Sequence, residues 1–215
     1  MARPKVSLVS QRKTLDVALA IADREGLEAL TIRRLAEELG INGASLYHHF
    51  RNKDEILVGV ATLALEGVRT PTDPAADWQE WLLQNLLEFR RALLAHPNLM
   101  PLLVRRHAMR IGLREHNATA ALLAVQGVTR ELVLPLLESL EALAIGTVMY
   151  ASPIDAAEDT DDAPDWQEDY PHLFALARQA SMDHDETFDL VARSIIAGFA
   201  ALIDATNGEP TPAGA

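Results

Sequence analysis

Apolar positions recur every three to four residues from about Ser10 to Thr206, and the two-residue alternation of strands is missing. The pattern predicts an all-α chain of about ten helices. Leu15, Ala18, Leu19 and Ala22 form one stripe, so a first helix runs over Gln11–Glu25 and stops at Gly26. Ile32, Leu35, Ala36 and Leu39 repeat the spacing behind Thr31, an N-cap residue, and Gly40 supplies the exit. Only Gly40, Ile41 and Asn42 precede a short third helix over residues 43–50, whose Leu46 and Phe50 share a core-facing side. A turn this short forces two helices to cross steeply, which is helix-turn-helix geometry. A fourth helix opens at Asn52-Lys53-Asp54-Glu55, with Asn52 as cap and Glu55 at the capping-box position, and connects onward over about 53–69.

Beyond it the spacing predicts helices over Asp77–Ala95, Asn98–Leu113, Glu115–Gln126, Thr129–Tyr150, Tyr170–Ser181 and Asp185–Thr206. Pro135 falls inside the eighth and predicts a kink or an earlier start. The eighth and tenth helices look too apolar for the surface of a monomer. Leu136, Leu140, Leu143 and Thr147 stand on one; Val191, Ile195 and Phe199 stand on the other, among small Ala192, Gly198 and Ala201. Ordinary burial within one chain is the alternative account. Residues 1–10 read as a flexible arm, 11–56 as a head domain, 70–206 as a larger helical body and 207–215 as a disordered tail. Ala151–Tyr170 holds eight carboxylates, no Lys or Arg, Pro153 and Pro164, and reads as a long solvated loop.

Composition narrows the function. With no cysteine among 215 residues, disulfides and thiolate metal sites are excluded. The N-terminus lacks the apolar stretch of a signal peptide, and no uninterrupted apolar run approaches a membrane span, so a soluble cytoplasmic protein with no membrane partner is expected. The net charge of −12 hides an asymmetry: residues 1–53 hold nine Lys and Arg against six Asp and Glu, whereas 54–215 hold ten against twenty-five. A basic head on an acidic body suits phosphate contact at one end, because affinity for DNA depends on local cations. No Gly-rich phosphate loop, nucleophile elbow or His-Glu-x-x-His is present, and no histidine of the body follows a Glu by three residues. Neither an enzyme, a cofactor nor a metal site is expected. Adjacent His48 and His49 diverge by about 100° on a helix, which argues against a shared metal.

Leu30-Thr31-Ile32-Arg33-Arg34-Leu35-Ala36-Glu37-Glu38-Leu39-Gly40-Ile41, followed by Ser45-Leu46-Tyr47-His48-His49-Phe50-Arg51-Asn52-Lys53-Asp54-Glu55, resembles the DNA-binding domain of the tetracycline-repressor (TetR) family. The resemblance covers residues 11–60, about a quarter of the chain. It implies a ligand-responsive transcriptional regulator, most often a repressor, that binds a palindromic operator in double-stranded DNA as a homodimer. Thr31 and Arg33 would then contact DNA, Gly43, Ala44 and Ser45 would face base edges, Tyr47, His48 and Lys53 would hold the backbone, and His49 would brace the third helix or contact phosphate. The family often carries larger side chains at positions 43 and 44, so specificity here should lean on a thymine-methyl contact from Ala44 and on DNA shape. The last two long helices would pair across the two-fold axis. An unknown small-molecule effector would bind among the fifth to eighth helices, for which Phe89, Met100, Val104, His107, Gln126 and Met149 are the candidates. Plain core packing for these six, a core role for Tyr47, a solvated role for Arg33, and a degenerate head on a protein-interaction module are the competing readings.

Overall fold

Helix α1, Gln11–Glu25, begins where the Ser10 hydroxyl accepts the Lys13 amide at 3.2 Å. It ends at Gly26, whose φ is 86°. A 3₁₀ turn, Leu27–Ala29, carries Leu27 and Leu30 into the core and leads to α2, Ile32–Leu39, capped by the Thr31 hydroxyl on the Arg34 amide at 3.1 Å. Gly40 (φ 64°) makes the left-handed exit that an L side chain resists. Helix α3 spans Gly43–Leu46, capped by Asn42 on the Ala44 amide at 2.9 Å. It is half as long as the pattern predicts. Tyr47 closes it, and a turn bonded back to the Leu46 carbonyl (3.0 Å from both the His49 and Phe50 amides) returns Phe50 to the core at 2% exposure. The spacing of Leu46 and Phe50 therefore holds, although the second belongs to the turn. Helix α4, Lys53–Ala64, starts with Asn52 accepting the Glu55 amide at 2.9 Å. Glu55 reaches back to the Arg51 amide at 2.6 Å, one residue before the expected capping-box partner.

The computed structural model describes residues 10–68, 77–106, 111–151, 166–172, 175–176 and 182–208, and among them there is no strand. The protein is all-α, with a helix-turn-helix head and a larger helical body. In the body, α5 (Trp78–Ala95), α8 (Arg130–Ala151) and α10 (His184–Gly208) pack on one another, with α6 (Met100–Arg106) and α7 (Leu113–Val125) against α8. Leu82, Leu86 and Leu93 of α5, Leu136, Leu140, Ala144 and Val148 of α8, and Phe188, Ala192 and Ile196 of α10 form the core. Arg90 of α5 is buried, pairs with Asp185 at 2.6 Å and lies 4.7 Å over the Phe188 ring, which fixes the start of α10. By length and composition alone α8 could cross a bilayer, but Glu138 and Glu141 interrupt it and its Leu136–Val148 face is packed inside the body.

Besides the shorter α3, and α4 ending at Ala64, further elements differ from what the pattern predicts. Asn98 belongs to a 3₁₀ turn, Pro97–Leu99, and α6 follows it. A short helix α9, Trp166–Asp169, lies in the segment expected to be loop, while most of the helix expected over 170–181 falls outside the described residues. Helix α10 runs through Asn207 to Gly208, and Asn207 Nδ2 donates to the Gly127 carbonyl at 3.1 Å, so the tail starts later than predicted.

Head and body are joined by more than α4. Asn98 Nδ2 donates to the carbonyls of Ala22 and Asp23 at 3.0 Å each, capping the C-terminal end of α1 from the body. His96 Nδ1 stands 2.9 Å from Asp23, and Arg12 reaches Glu66 at 2.8 Å. Gly59 lets α4 lie close on α1, because a Cβ there would sit 2.7 Å from the Leu15 side chain.

Candidate DNA-binding head and ligand cavity

The residues expected to meet DNA gather around α3. Ala44, Tyr47, His48 and His49 are exposed, and Gly43 and Ser45 are half-buried on the first turn of α3. Tyr47 is 54% exposed, which removes it from the core. Gly43 is not demanded by the fold, since an added Cβ would meet Ile32 Cγ2 at 3.5 Å and Ala36 Cβ at 4.0 Å, both ordinary contacts. Lys53 stands half-buried at the start of α4, and Thr31 caps α2. Arg33 has a side chain 89% exposed and donates to Glu37 at 2.8 Å, so binding a phosphate would exchange one partner for another.

Arg34, beside it, is committed elsewhere. It donates to Glu25 at 2.9 Å and Glu38 at 2.5 Å, pinning α2 to the end of α1. Hydrogen bonds from Arg34 and then Arg24 hold the Glu25 carboxyl at about 2, well below its ordinary value of 4.5. A depressed carboxyl contributes stability above its unfolded pKa and loses it as pH falls through the folded value. The difference in melting temperature between the wild type and Glu25→Gln should therefore be constant above pH 5 and shrink from about pH 4.5 towards pH 2. A difference that does not change with pH would remove this ion pair as a cause.

Beneath the head a cavity of about 600 Å³ opens between the end of α4, α5, α7 and α8. Leu82, Leu86, Phe89, Ile111, Leu137 and Leu140 make it mainly apolar, with Thr62, Asn85, Thr119, His116 and Glu141 as polar points. Of the candidates from sequence, Phe89 lines it. Met100 is buried away from it; Val104 (46%) and Met149 (53%) face solvent; Gln126 accepts the Trp78 amide at 3.1 Å and so holds the start of α5; His107 lies outside the described residues. His116 and Glu141 were missed because neither is informative alone. Their partnership, at 2.6 Å, joins positions 25 residues apart. The available signal was a polar residue on an otherwise buried stripe: His116 precedes Thr119 and Leu123, and Glu141 follows Leu137 and Leu140.

The expected dimer residues divide. Leu136 and Leu140 are buried inside the protomer, at 0% and 3% exposure, so they belong to its core and not to a contact face. Leu143, Thr147, Ile195 and Phe199 are half-buried, and Val191 is exposed. Leu134, Met149 and Tyr150 on α8 and Leu190 and Leu202 on α10 add apolar surface that the sequence reading did not select.

The head matches the family model of bacterial regulatory proteins of the tetR family over residues 15–60, and the body matches that of the tetracyclin repressor-like C-terminal domain over 70–203. The chain belongs to the TetR family. It is 30% identical over 201 residues to the class E tetracycline repressor of Escherichia coli, covering 91% of this chain and 93% of that one. Among solved structures, apo ActR from Streptomyces coelicolor superposes with a TM-score of 0.76 at 30% identity, over 93% of this chain and 99% of that chain. ActR in complex with actinorhodin gives 0.73 at the same identity and coverage. TetR-family proteins are DNA-binding regulators and not enzymes, which sets aside the enzyme reading.

Proposed function

We propose that this TetR-family chain is a cytoplasmic repressor that holds a palindromic operator as a homodimer and releases it when a small molecule enters the cavity. The observation that carries the reading is the course of α4. Its first residue is Lys53, it packs on α1 of the head, and Thr62 in its last turn, with Leu65 and Glu66 just beyond it, lines the cavity. A ligand that displaces that end tilts the helix on which the head rides and changes the separation of two recognition elements on DNA. Coupling is reciprocal, so an effector that weakens operator binding is itself weakened by operator. The relatives support the ligand half of the reading, since ActR is known in complex with actinorhodin.

Dimerisation is supported by α10. Val191, Ile195, Gly198 and Leu202 follow one another at helical spacing, all exposed or half-buried in the single chain. Nothing lies within 4 Å of a Cβ added at Gly198, nor at Gly146 on α8. Two helices with such open positions can approach closely across a two-fold axis, which in turn dictates operator symmetry.

Fluorescence anisotropy on a duplex from the DNA flanking the gene, against a scrambled duplex, tests the reading. The flanking palindrome should bind about a thousandfold more tightly. Lys53→Ala should weaken binding to both duplexes and reduce the slope of log affinity against log salt by about one phosphate's worth. Failure to select any DNA from a random pool would leave the head as a scaffold and end the repressor reading. A ligand that saturates the cavity yet leaves operator affinity unchanged would end the release mechanism.

A further inference from the structure

One paired polar construction stands in the mainly apolar cavity wall. His116 on α7 has both ring nitrogens engaged: Nδ1 lies 2.7 Å from the Gly112 carbonyl and Nε2 lies 2.6 Å from Glu141 Oε1 on α8. A carbonyl oxygen can only accept, so Nδ1 carries a hydrogen. Nε2 faces a carboxylate, and a second ring hydrogen there makes the pair an imidazolium and a carboxylate joined by a charge-assisted bond. Burial works against the charged ring, but the bonds to Glu141 and to the Gly112 carbonyl outweigh it, and the His116 pKa is raised. With both hydrogens spent, His116 has none left for a ligand.

Glu141 differs. Its side chain is 19% exposed and lines the cavity, and His116 occupies only Oε1. Among the described residues Oε2 has no hydrogen-bond partner. The other polar groups of the wall discriminate less. The Thr62 hydroxyl donates to the Val58 carbonyl at 2.9 Å, and Glu66 is held by Arg12 at 2.8 Å. The Asn85 amide both donates and accepts. Glu66, Glu115 and Glu141 outnumber the cations Arg114 and His116, and Arg114 is exposed.

We propose that the cavity selects its effector by a hydrogen-bond donor (a phenol, an alcohol or an ammonium) that docks on Oε2 of Glu141, and that it discriminates against ligands whose polar end only accepts or is itself a carboxylate. The proposal rests on the reading of this cavity as the effector site. A half-buried carboxylate oxygen facing an acceptor leaves a charge unsatisfied, whereas facing a donor it gains a charge-assisted bond.

The test uses the full-length protein without DNA and three probes of one shape: 2-naphthol, 2-methoxynaphthalene and 2-naphthoate, titrated at pH 7 and followed by calorimetry. The naphthol should bind about tenfold to a hundredfold more tightly than either of the others, the ratio expected for one hydrogen bond to a charged partner. In Glu141→Gln, which keeps an acceptor for His116, the preference should fall to about threefold or less. The ratio in the wild-type protein is decisive even if that variant fails to fold. Equal binding of naphthol and its ether, tightest binding of naphthoate, a preference that survives in Glu141→Gln, or no saturable binding of naphthol would each overturn the proposal. Operator binding is measured separately. A protein that selects its operator but not the naphthol keeps the regulator reading and loses this one, and the reverse result does the opposite.

Discussion

Replacing Gly198 by arginine is expected to split the proposed homodimer and weaken operator binding by about two orders of magnitude or more, while helical content and melting of the protomer stay close to wild type. The protomer has room for the substitution, because a Cβ at Gly198 meets nothing within 4 Å. The position shares a stripe with Val191, Ile195 and Leu202, and Leu190 and Leu202 are each more than half exposed. An arginine there costs little in a lone chain, but it places a charge and a long side chain where a second α10 would lie. A protomer that has lost its partner grips one half-site alone and forfeits the joint binding of two. Sedimentation equilibrium reads the mass, anisotropy the affinity, and circular dichroism the fold. A Gly198→Arg protein that remains dimeric with unchanged affinity would take this face of α10 out of the interface.

The second large effect is the converse. Leu136→Ala should lower stability by about 2–5 kcal/mol and the melting temperature by roughly 5–15 °C, and should leave the proposed dimer intact. Leu136 is fully buried within its own chain, beside Leu140 and Ala144 on the inner stripe of α8. Truncation there leaves a void inside the protomer's own core. Dissociation at unchanged protomer stability would return Leu136 to the interface, where its sequence first placed it.

That misplacement shows what a sequence pattern carries and what it lacks. The head was legible because its signals are local: Ser10, Thr31, Asn42 and Asn52 each accept an amide two or three residues ahead, and Gly40 takes a backbone conformation other residues resist. Helices α5 and α10 are legible from their period. The face that α8 turns inward was not, because Leu136, Leu137, Leu140 and Leu143 cover more than one side, and only packing against α5 and α10 separates them. The cavity was harder still. Gln126 reads as a ligand contact in the sequence, yet it accepts an amide 48 residues away, and Glu141 is not informative alone although it meets His116 across 25 residues. Such pairings follow from tertiary geometry, which no window of sequence contains.

The cap that Asn98 places on the last carbonyls of α1, with His96 against Asp23, ties the head to the body at a second point besides α4, so that the head moves with the body. In the proposed dimer, tolerance for operator spacing would then be set by the body. Each base pair inserted between half-sites shifts the second by about 3.4 Å along the duplex and turns it by about 34°. A head on a slack tether would follow that displacement, whereas one clamped at both α4 and α1 makes the length of the spacer as much a part of the recognition code as the bases it separates.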